Sequence, residues 1–461
     1  MQGCRDLQPF FYGYARFFKQ KEKSFMRTDI VHIGAAELTY EIRGIMQLVE
    51  KLSSMGMEIT LENIGDPVAK GEEIPLWLKS IISDLAMEND SYAYSATLGE
   101  LETRKYLADL NNRNGGVHLN EEDIIFFNGL GDAIAKIYGF MRRTARVITP
   151  TPTYTTHSSS EAAHAGLPPV SYPLNPQNHW YPDVVELRRR VKYNPAVAAI
   201  LIINPDNPTG MVYPDDLLEE IVSIARDFDL FIIADEIYLN LAYNGHKGKC
   251  LSQVIGDVPA ISMKGISKEL PWPGGRCGWM EVYNKDKDPM FANYIKSIVN
   301  AKMVEVCSTT LPQKAIPRVF EHPSYGDHLT KRRKRYERFS KIAFEKLRVI
   351  PGIMVNRTNG AFYMTVVFEE GQLNRKQTLH IERADVREHI EKLIAKGEKM
   401  QPDKRFVYYL LGATGICVVP LTSFSCDLQG FRITLLETDE NKFVETFDRL
   451  AASIKQYLAS A

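Results

Sequence analysis

Several things are scarce in this chain of 461 residues. Net charge is almost absent, at −1, which argues against a nucleic-acid-binding surface as the main function. Cysteine is sparse: Cys4, Cys250, Cys277, Cys307, Cys417 and Cys426 are scattered, with no close pair. Zinc-type spacing is therefore missing, no metal is expected, and free thiols in a reducing cytoplasm are the simple reading. No apolar run reaches the ~20 residues that a membrane span needs. There is no internal repeat and no low-complexity linker.

What remains is ordinary soluble composition, with 44% hydrophobic and 25% charged residues. The length suits two domains, or one large and one smaller. The first residues stand apart: Phe10 to Phe18 is rich in aromatics, and Lys19 to Lys23 is basic and polar. This lacks the long apolar core of a signal peptide. Two readings stand, a true start at Met26 or an arm that packs on a partner subunit.

From Leu38 the pattern becomes regular. Ile45, Leu48, Val49 and Leu52 recur at helical spacing up to a stop at Met55-Gly56. Pro75 opens a second helix, with Leu76, Leu78, Ile81, Ile82 and Leu85 expected on its buried side. Between Ile124 and Val282, apolar strands alternate with helices. The strands are Ile124–Phe127, Arg146–Thr149, Ala196–Ile203, Leu230–Ala234, Ala260–Met263 and a returning one over Cys277–Val282. Almost unbroken apolar runs suit parallel strands buried on both faces, so this part reads as a doubly wound α/β domain.

The chemistry-bearing residues fall at the strand ends. Asn128-Gly129-Leu130-Gly131-Asp132 links a strand to a helix, a ready anion site because free N–H groups and the helix dipole point at it. It is neither a Walker loop nor a full dinucleotide fingerprint. Tyr154 follows a Pro-rich strand exit, where it can stack on a flat cofactor or simply pack. Asn207 and Asp235 lie just past consecutive strand ends. A carboxylate there is costly unless paired, and a protonated ring nitrogen would be a good partner. The turn Gly265 to Arg276 carries Lys268, a candidate nucleophile once desolvated, and Arg276, a candidate phosphate ligand eight residues on. Together they point to a carbonyl cofactor with a phosphate handle, pyridoxal phosphate.

Beyond this region, Ala292–Cys307 and His328–Leu347 read as helices. The basic run Lys331 to Arg335 reads as a solvated helix face. Gly360–Val367, Ile416–Pro420 and Phe431–Leu436 read as strands, Glu369–Lys404 as a charged insert, and the chain closes in an amphipathic helix from Glu440. This is a smaller α+β domain.

Asn204 to Gly210 (NPDNPTG), Ala234 to Tyr238 (ADEIY), Ser267-Lys268 with Arg276, and Phe431-Arg432-Ile433 occur in one order. On these motifs, from about Tyr40 to the C-terminus, the chain resembles the class I/II aminotransferases, fold type I pyridoxal-phosphate enzymes. Tyr40 to Gly44 with Asn63 to Pro67 look most like the branch holding bacterial alanine and aspartate aminotransferases. The resemblance implies a three-layer α/β/α large domain with a mainly parallel sheet and a smaller α+β domain. The expected division is 1–65 for an arm and a segment packing on the small domain, 66–325 for the large cofactor domain, and 326–461 for the small one.

The resemblance also implies roles. Lys268 matches the lysine that binds the cofactor covalently and then moves the proton from the substrate Cα. Asp235 matches the carboxylate that keeps the ring nitrogen protonated. Tyr238 and Asn207 match the pair on the cofactor's 3-oxygen, and Tyr154 the aromatic stacked on the ring. Gly129, Leu130, Gly131, Ser267 and Arg276 match the phosphate site, and Tyr94 a tyrosine that reaches the neighbouring subunit's phosphate, so a homodimer is expected. Arg432 matches the grip on the substrate α-carboxylate, helped by Gly65 and Asn207, with Tyr40 beside it. Two departures stand out: Gly265 and Gly131 occupy positions where many relatives carry phosphate-binding hydroxyls.

The implied activity is transfer of an amino group between an L-amino acid and a 2-oxo acid by a ping-pong mechanism in the cytoplasm. A fold type I lyase or decarboxylase shares the same cofactor residues, and the aminotransferase-like part of a regulator is a non-catalytic rival. Tyr40, Tyr154 and Trp272 suit an apolar or aromatic substrate side chain, or plain packing.

Overall fold

A computed structural model describes the chain from residue 28 to residue 460, apart from residues 29, 39, 40, 398 and 399 and the side chains of 41–43. The aromatic N-terminal segment and Tyr40 lie outside the described residues.

The strands run in chain order as β1 Thr60–Leu61, β2 Ile124–Phe127, β3 Arg146–Thr151, β4 Ser171–Asn175, β5 Tyr181–Pro182, β6 Val197–Ile203, β7 Phe231–Asp235, β8 Ala260–Gly265, β9 Gly278–Tyr283, β10 Ile353–Val355, β11 Tyr363–Phe368, β12 Ile416–Cys417, β13 Val419–Pro420 and β14 Gly430–Thr434. Eight form one sheet in the order β2-β9-β8-β7-β6-β3-β4-β5. Its centre, β8 to β4, is parallel, while β9 and β5 run against their neighbours. The apolar run of β6 shows why this sheet needs cover on both faces. Ala199, Leu201 and Ile203 join one core with helices Leu130–Gly139 and Pro289–Glu305. Ile200 and Ile202 join another, which includes helices Leu76–Ala86 and Asp215–Asp227. Alternation of successive side chains makes one strand serve two layers, and each fully buried Leu or Ile contributes roughly 1.5–3 kcal/mol.

Register places the chemistry. Ile203, Asp235 and Met263 lie opposite one another at the carboxyl ends of β6, β7 and β8. Asn204 N–H bonds to Asp235 O at 3.1 Å, and Glu236 N–H to Met263 O at 2.9 Å. The three strands therefore release their loops at one edge, where open α/β sheets bind ligands.

A second sheet, β10-β11-β14-β13, is antiparallel throughout. Its core takes Ile45, Leu48, Val49 and Leu52 from the early helix Glu41–Ser54, together with Phe339, Phe406 and Phe443. β1 pairs in parallel with β12, Thr60 opposite Ile416. The early segment is thus built into the late part of the chain.

Some expectations need correction. Leu76 is 82% exposed, because Pro75 only caps the helix and the buried stripe begins at Leu78. The charged stretch Glu369–Lys404 is docked into the fold: Leu379, Ile381, Val386 and Ile390 are buried in the second core. Its charges masked apolar residues at helical spacing, in helix Ala384–Lys396. Ile416–Pro420 splits at Val418 into two strands of different sheets. β4 and β5 carried no signal, since each contains a proline; β5 forms the sheet's edge, with β4 beside it.

Gly210 ties the two parts together. Its carbonyl accepts N–H bonds from Asn359 at 3.0 Å and Gly360 at 2.9 Å. It stands at φ +73, and a Cβ there would lie 2.1 Å from the Tyr363 carbonyl oxygen. Gly210→Ala is expected to destabilise the fold by about 2–4 kcal/mol through strain and forced displacement of β11, read from the denaturant midpoint.

Candidate active site

The short helix Ile266–Glu269 leaves the end of β8 and points Lys268 across the sheet edge. Its Nζ donates to the Gly65 carbonyl at 2.7 Å. Burial strips water from the amine and pulls its pKa down to about 8, aided by Arg432 and Arg276 and opposed by Asp66 and Asp235. At neutral pH a usable fraction is already the free, nucleophilic amine.

Asp235 lies at the end of β7, 3% exposed. Its Oδ1 accepts the Ile237 N–H at 3.2 Å, and its Oδ2 lies 3.1 Å from Nε2 of His157. His157 is fully buried, edge-on to Tyr138 and Tyr154. Sequence reasoning missed it. The one signal available was its place three residues after Tyr154, on the same helical face.

Arg432, in the middle of β14, is 2% exposed. It donates to Asn207 Oδ1 at 3.2 Å and to the Asn63 carbonyl at 2.5 Å. Its guanidinium carbon lies 4.4 Å from the Tyr363 ring centroid and 5.0 Å from that of Phe424. Arg432 Nε and Asn63 Oδ1 remain without a hydrogen-bond partner although buried. An unmade bond on a buried cation is expensive, and a carboxylate is the complement that a guanidinium fork fits best.

Tyr238 OH meets Tyr363 OH at 3.0 Å. Burial and the neighbouring Tyr363 hold the Tyr238 hydroxyl well above its ordinary pKa, so it stays protonated and able to donate. Gly65 is forced by this packing: a Cβ there would fall 1.9 Å from Tyr363 OH.

The anion cup forms where β2 meets helix Leu130–Gly139. Gly129 adopts φ +82, and a Cβ on it would fall 2.5 Å from Arg276 Nη2. Arg276 lies over this turn, with bonds of 3.3 Å to the carbonyls of Pro273 and Asn128. The two missing hydroxyls differ in cause. Gly265 is pressed against β9, where a Cβ would sit 3.0 Å from the Cys277 carbonyl oxygen, whereas Gly131 has open space around it.

These residues share one cavity of about 990 Å³, lined by Gly65, Leu130, Gly131, Tyr154, Asn207, Asp235, Tyr238, Ser267, Lys268, Arg276 and Arg432, with Tyr363 and Thr156 added by the structure. Tyr94 is not among its lining residues and stands 84% exposed. A slightly larger cleft of about 1040 Å³ opens at the amino ends of the strands, among Phe140, Phe228 and Tyr294. Its rim charges include the mutual Arg226–Asp257 pair at 3.1 Å, so size alone would pick the wrong site.

The basic run also reads differently in the fold. Arg332 is 3% exposed, not solvated. It bonds to Glu72 and to the Lys268 and Glu269 carbonyls, because one face of helix Tyr325–Leu347 packs against the Lys268 turn. Among the described residues no cluster of His, Cys, Asp and Glu is arranged to hold a metal, and no helix is long and apolar enough to cross a membrane.

An eight-stranded sheet with β9 reversed, a lysine turn after β8 and an arginine on a second antiparallel sheet define a fold type I aminotransferase architecture. The model of the class I and II aminotransferases matches residues 63–448, and the chain belongs to that family. An uncharacterized aminotransferase of Methanocaldococcus jannaschii is 57% identical over 433 residues, covering 94% of this chain and all of that one. The glutamate-pyruvate aminotransferase AlaA of Escherichia coli is 29% identical over 70% of this chain and 79% of its own. An alanine aminotransferase from Pyrococcus furiosus superposes with a TM-score of 0.79 at 26% identity, covering 92% of this chain and 98% of that one. This chain is thus an enzyme of the transaminase class, and enzymes of its family and fold in general depend on pyridoxal phosphate.

The lowered pKa is directly testable. A small amine-reactive aldehyde trapped by reduction is expected to label Lys268 with a midpoint near pH 8, while exposed lysines follow near ~10.4. Peptide mass spectrometry across a pH series reads both.

Proposed function

We propose that this enzyme binds pyridoxal phosphate in the cavity at the carboxyl edge of the large sheet. There it moves an amino group from an L-amino acid to a 2-oxo acid in two half-reactions. The observation that carries this reading is the convergence of Lys268, Asp235, Tyr238, Asn207, Tyr154, Arg276 and Arg432 on one cavity.

The residues present fit the cofactor. The Gly129 cradle, kept clear of a side chain by Arg276, suits a phosphate. N–H groups of Gly129, Leu130 and Gly131, with Ser267 and Arg276, would hold it. Tyr94 from a second copy of the chain would complete the site, consistent with its exposure and with a homodimer. Tyr154 would cover the ring, Asp235 would face its nitrogen, and Tyr238 and Asn207 would bond its 3-oxygen. When bound, pyridoxal phosphate supplies a carbonyl that takes up the amino group and a ring that withdraws electrons from the substrate Cα.

The chain does the rest. Arg432, with an unused Nε and Asn207 alongside, grips the substrate carboxylate and aims the Cα–H at Lys268. Gly65 O orients the Lys268 amine, which takes the Cα proton and later returns it. His157 holds the Asp235 carboxylate in place, much as buried carboxylate–imidazole pairs fix orientation elsewhere. The second core, built from residues 45–52 and 339–457, supports a small domain over 326–461 that recruits the segment before residue 65 and a large one over 66–325, with Val367, Val419, Leu421 and Phe424 of the small domain packing into the large sheet's core. The described cysteines are all free, in keeping with a cytoplasmic setting.

Purified protein is expected to be yellow and to change its absorption when an amino-acid donor is added. A protein that stays colourless with added cofactor overturns the reading. Lys268→Ala should keep the fold and lose turnover at least ~1,000-fold. With 2-oxoglutarate as acceptor, appearance of glutamate marks a transaminase, and release of ammonia or a fragment would mark a lyase instead.

The phosphate cup adds a second test. Because Gly131 has room for a side chain, Gly131→Ser should tighten cofactor binding about three- to tenfold by adding one charge-assisted hydrogen bond. Gly265→Ser should not, since its Cβ would press within 3.0 Å of the Cys277 carbonyl and force β9 to shift. Cofactor titration by absorbance separates the two.

A further inference from the structure

We propose that Arg332 is a positioning residue, holding the Lys268 turn in register with the segment that carries Gly65, through the backbone on one side and through Glu72 on the other. The assignment rests on the reading of Lys268 as the reacting amine. It adds a residue that does not line the cavity but bonds the backbone of one that does, 64 positions along the chain from Lys268.

The geometry leaves Arg332 little other use. All five of its guanidinium donors are engaged: Nη1 donates to the carbonyls of Lys268 at 2.6 Å and Glu269 at 2.8 Å, Nε to Glu72 Oε1 at 2.5 Å, and Nη2 to Glu72 Oε2 at 3.4 Å and Tyr336 OH at 2.8 Å. A planar fork can span two carbonyls and a carboxylate at once, whereas an ammonium is a point donor. Glu72 is 7% exposed. Burial alone would raise its carboxyl pKa, yet the guanidiniums of Arg332 and Arg335 hold it below the usual range. The pair is ionised and buried, so removing one partner strands the other.

These contacts close a ring. The Lys268 backbone is tied to Arg332, Arg332 to Glu72, and Glu72 to the stretch running back to Gly65. The Gly65 carbonyl takes the Lys268 amine at 2.7 Å. Lys268 is therefore fixed at both ends of its side chain, and the two anchors are fixed to each other. Reacting atoms must approach to roughly 3–3.5 Å, and a misplacement of about 1 Å costs on the order of 100-fold in rate. A clamp on the carbonyls of this turn sets that distance without touching substrate. The other charged groups facing the Lys268 amine are Asp66, Asp235, Arg432 and Arg276, and the titratable groups facing the clamp include Arg335, the Glu269 carboxyl and the His328 imidazole, which burial keeps neutral. Neither substitution below replaces any of them.

Arg332→Lys and Glu72→Gln in the full chain test this with three readings: the pH midpoint of Lys268 labelling in the cofactor-free chain, kcat and KM for the amino donor, and the melting temperature. In Arg332→Lys the loosened turn admits water, so the midpoint should rise by roughly half a pH unit or more. Its kcat should fall about 10- to 100-fold, with KM changed less than about threefold. Glu72→Gln keeps the volume and should move midpoint and kcat in the same direction, less far. A folded Arg332→Lys protein with unmoved midpoint and kcat, and only a lower melting temperature, overturns the proposal in favour of plain packing. Should Arg332→Lys not fold, Glu72→Gln decides on the same two readings, and unmoved values there overturn it. A wild-type chain that binds no cofactor sinks the transaminase reading by itself, while the labelling midpoint still judges the clamp.

Discussion

A neutral amine must be kept available inside a cavity that also holds guanidinium groups, and the architecture is organised around that requirement. Lys268 loses water on burial and feels Arg432 and Arg276 as like charges, while Asp66 and Asp235 pull the other way. The balance leaves the amine with a pKa near 8, well below an ordinary lysine. A general base works best with a pKa close to the working pH. Neither sheet supplies this alone. β7 and β8 deliver Asp235 and Lys268, β14 delivers Arg432, and the stretch Asn63–Asp66 bonds to both Lys268 and Arg432.

That stretch explains the mixed connectivity. Asn63 and Gly65 present backbone carbonyls, not side chains, to the two cationic residues. Their placement depends on β1 being locked onto β12 and on Glu62, which accepts from Lys70 at 2.8 Å and from Thr434 at 2.5 Å. Thr434 lies two residues beyond Arg432, on the same face of β14. The buried carboxyl of Glu62 is raised in pKa by burial, with Lys70 and Thr434 opposing. One short segment thus reads the position of the small sheet and reports it to the catalytic turn.

Residues whose chemistry depends on one strand end were legible in the sequence. Asn207, Asp235 and Lys268 each follow an apolar run, and the edge they share follows from parallel pairing. The glycine turn was legible as an anion site from its place between a strand and a helix, but Arg432 was recoverable only through resemblance, since nothing in the local pattern separates it from any arginine in a strand. His157 and Arg332 were not legible. Each sits on a helix whose rotation about its axis decides whether it faces water or core, and tertiary packing sets that rotation. In the charge-rich segment over 369–404, four buried aliphatic residues are enough to dock it, and counting charges hides them. Gly265 looked like a lost hydroxyl, yet the close approach of β9 makes a side chain there crowded, with a Cβ 3.0 Å from the Cys277 carbonyl oxygen.

The seating of helix Glu41–Ser54 among late elements has a consequence for synthesis. Its stripe of Ile45, Leu48, Val49 and Leu52 finds partners such as Phe339, Phe406 and Phe443 only after most of the chain has emerged. At translation rates of about 5–20 residues per second, that is a wait of roughly 15–80 s. Over that interval the large sheet can assemble from consecutive strands while the early helix carries an uncovered apolar face. Until then the early helix is the face of the nascent chain most open to aggregation, and helix Glu440–Ala459 is among the elements that cover it.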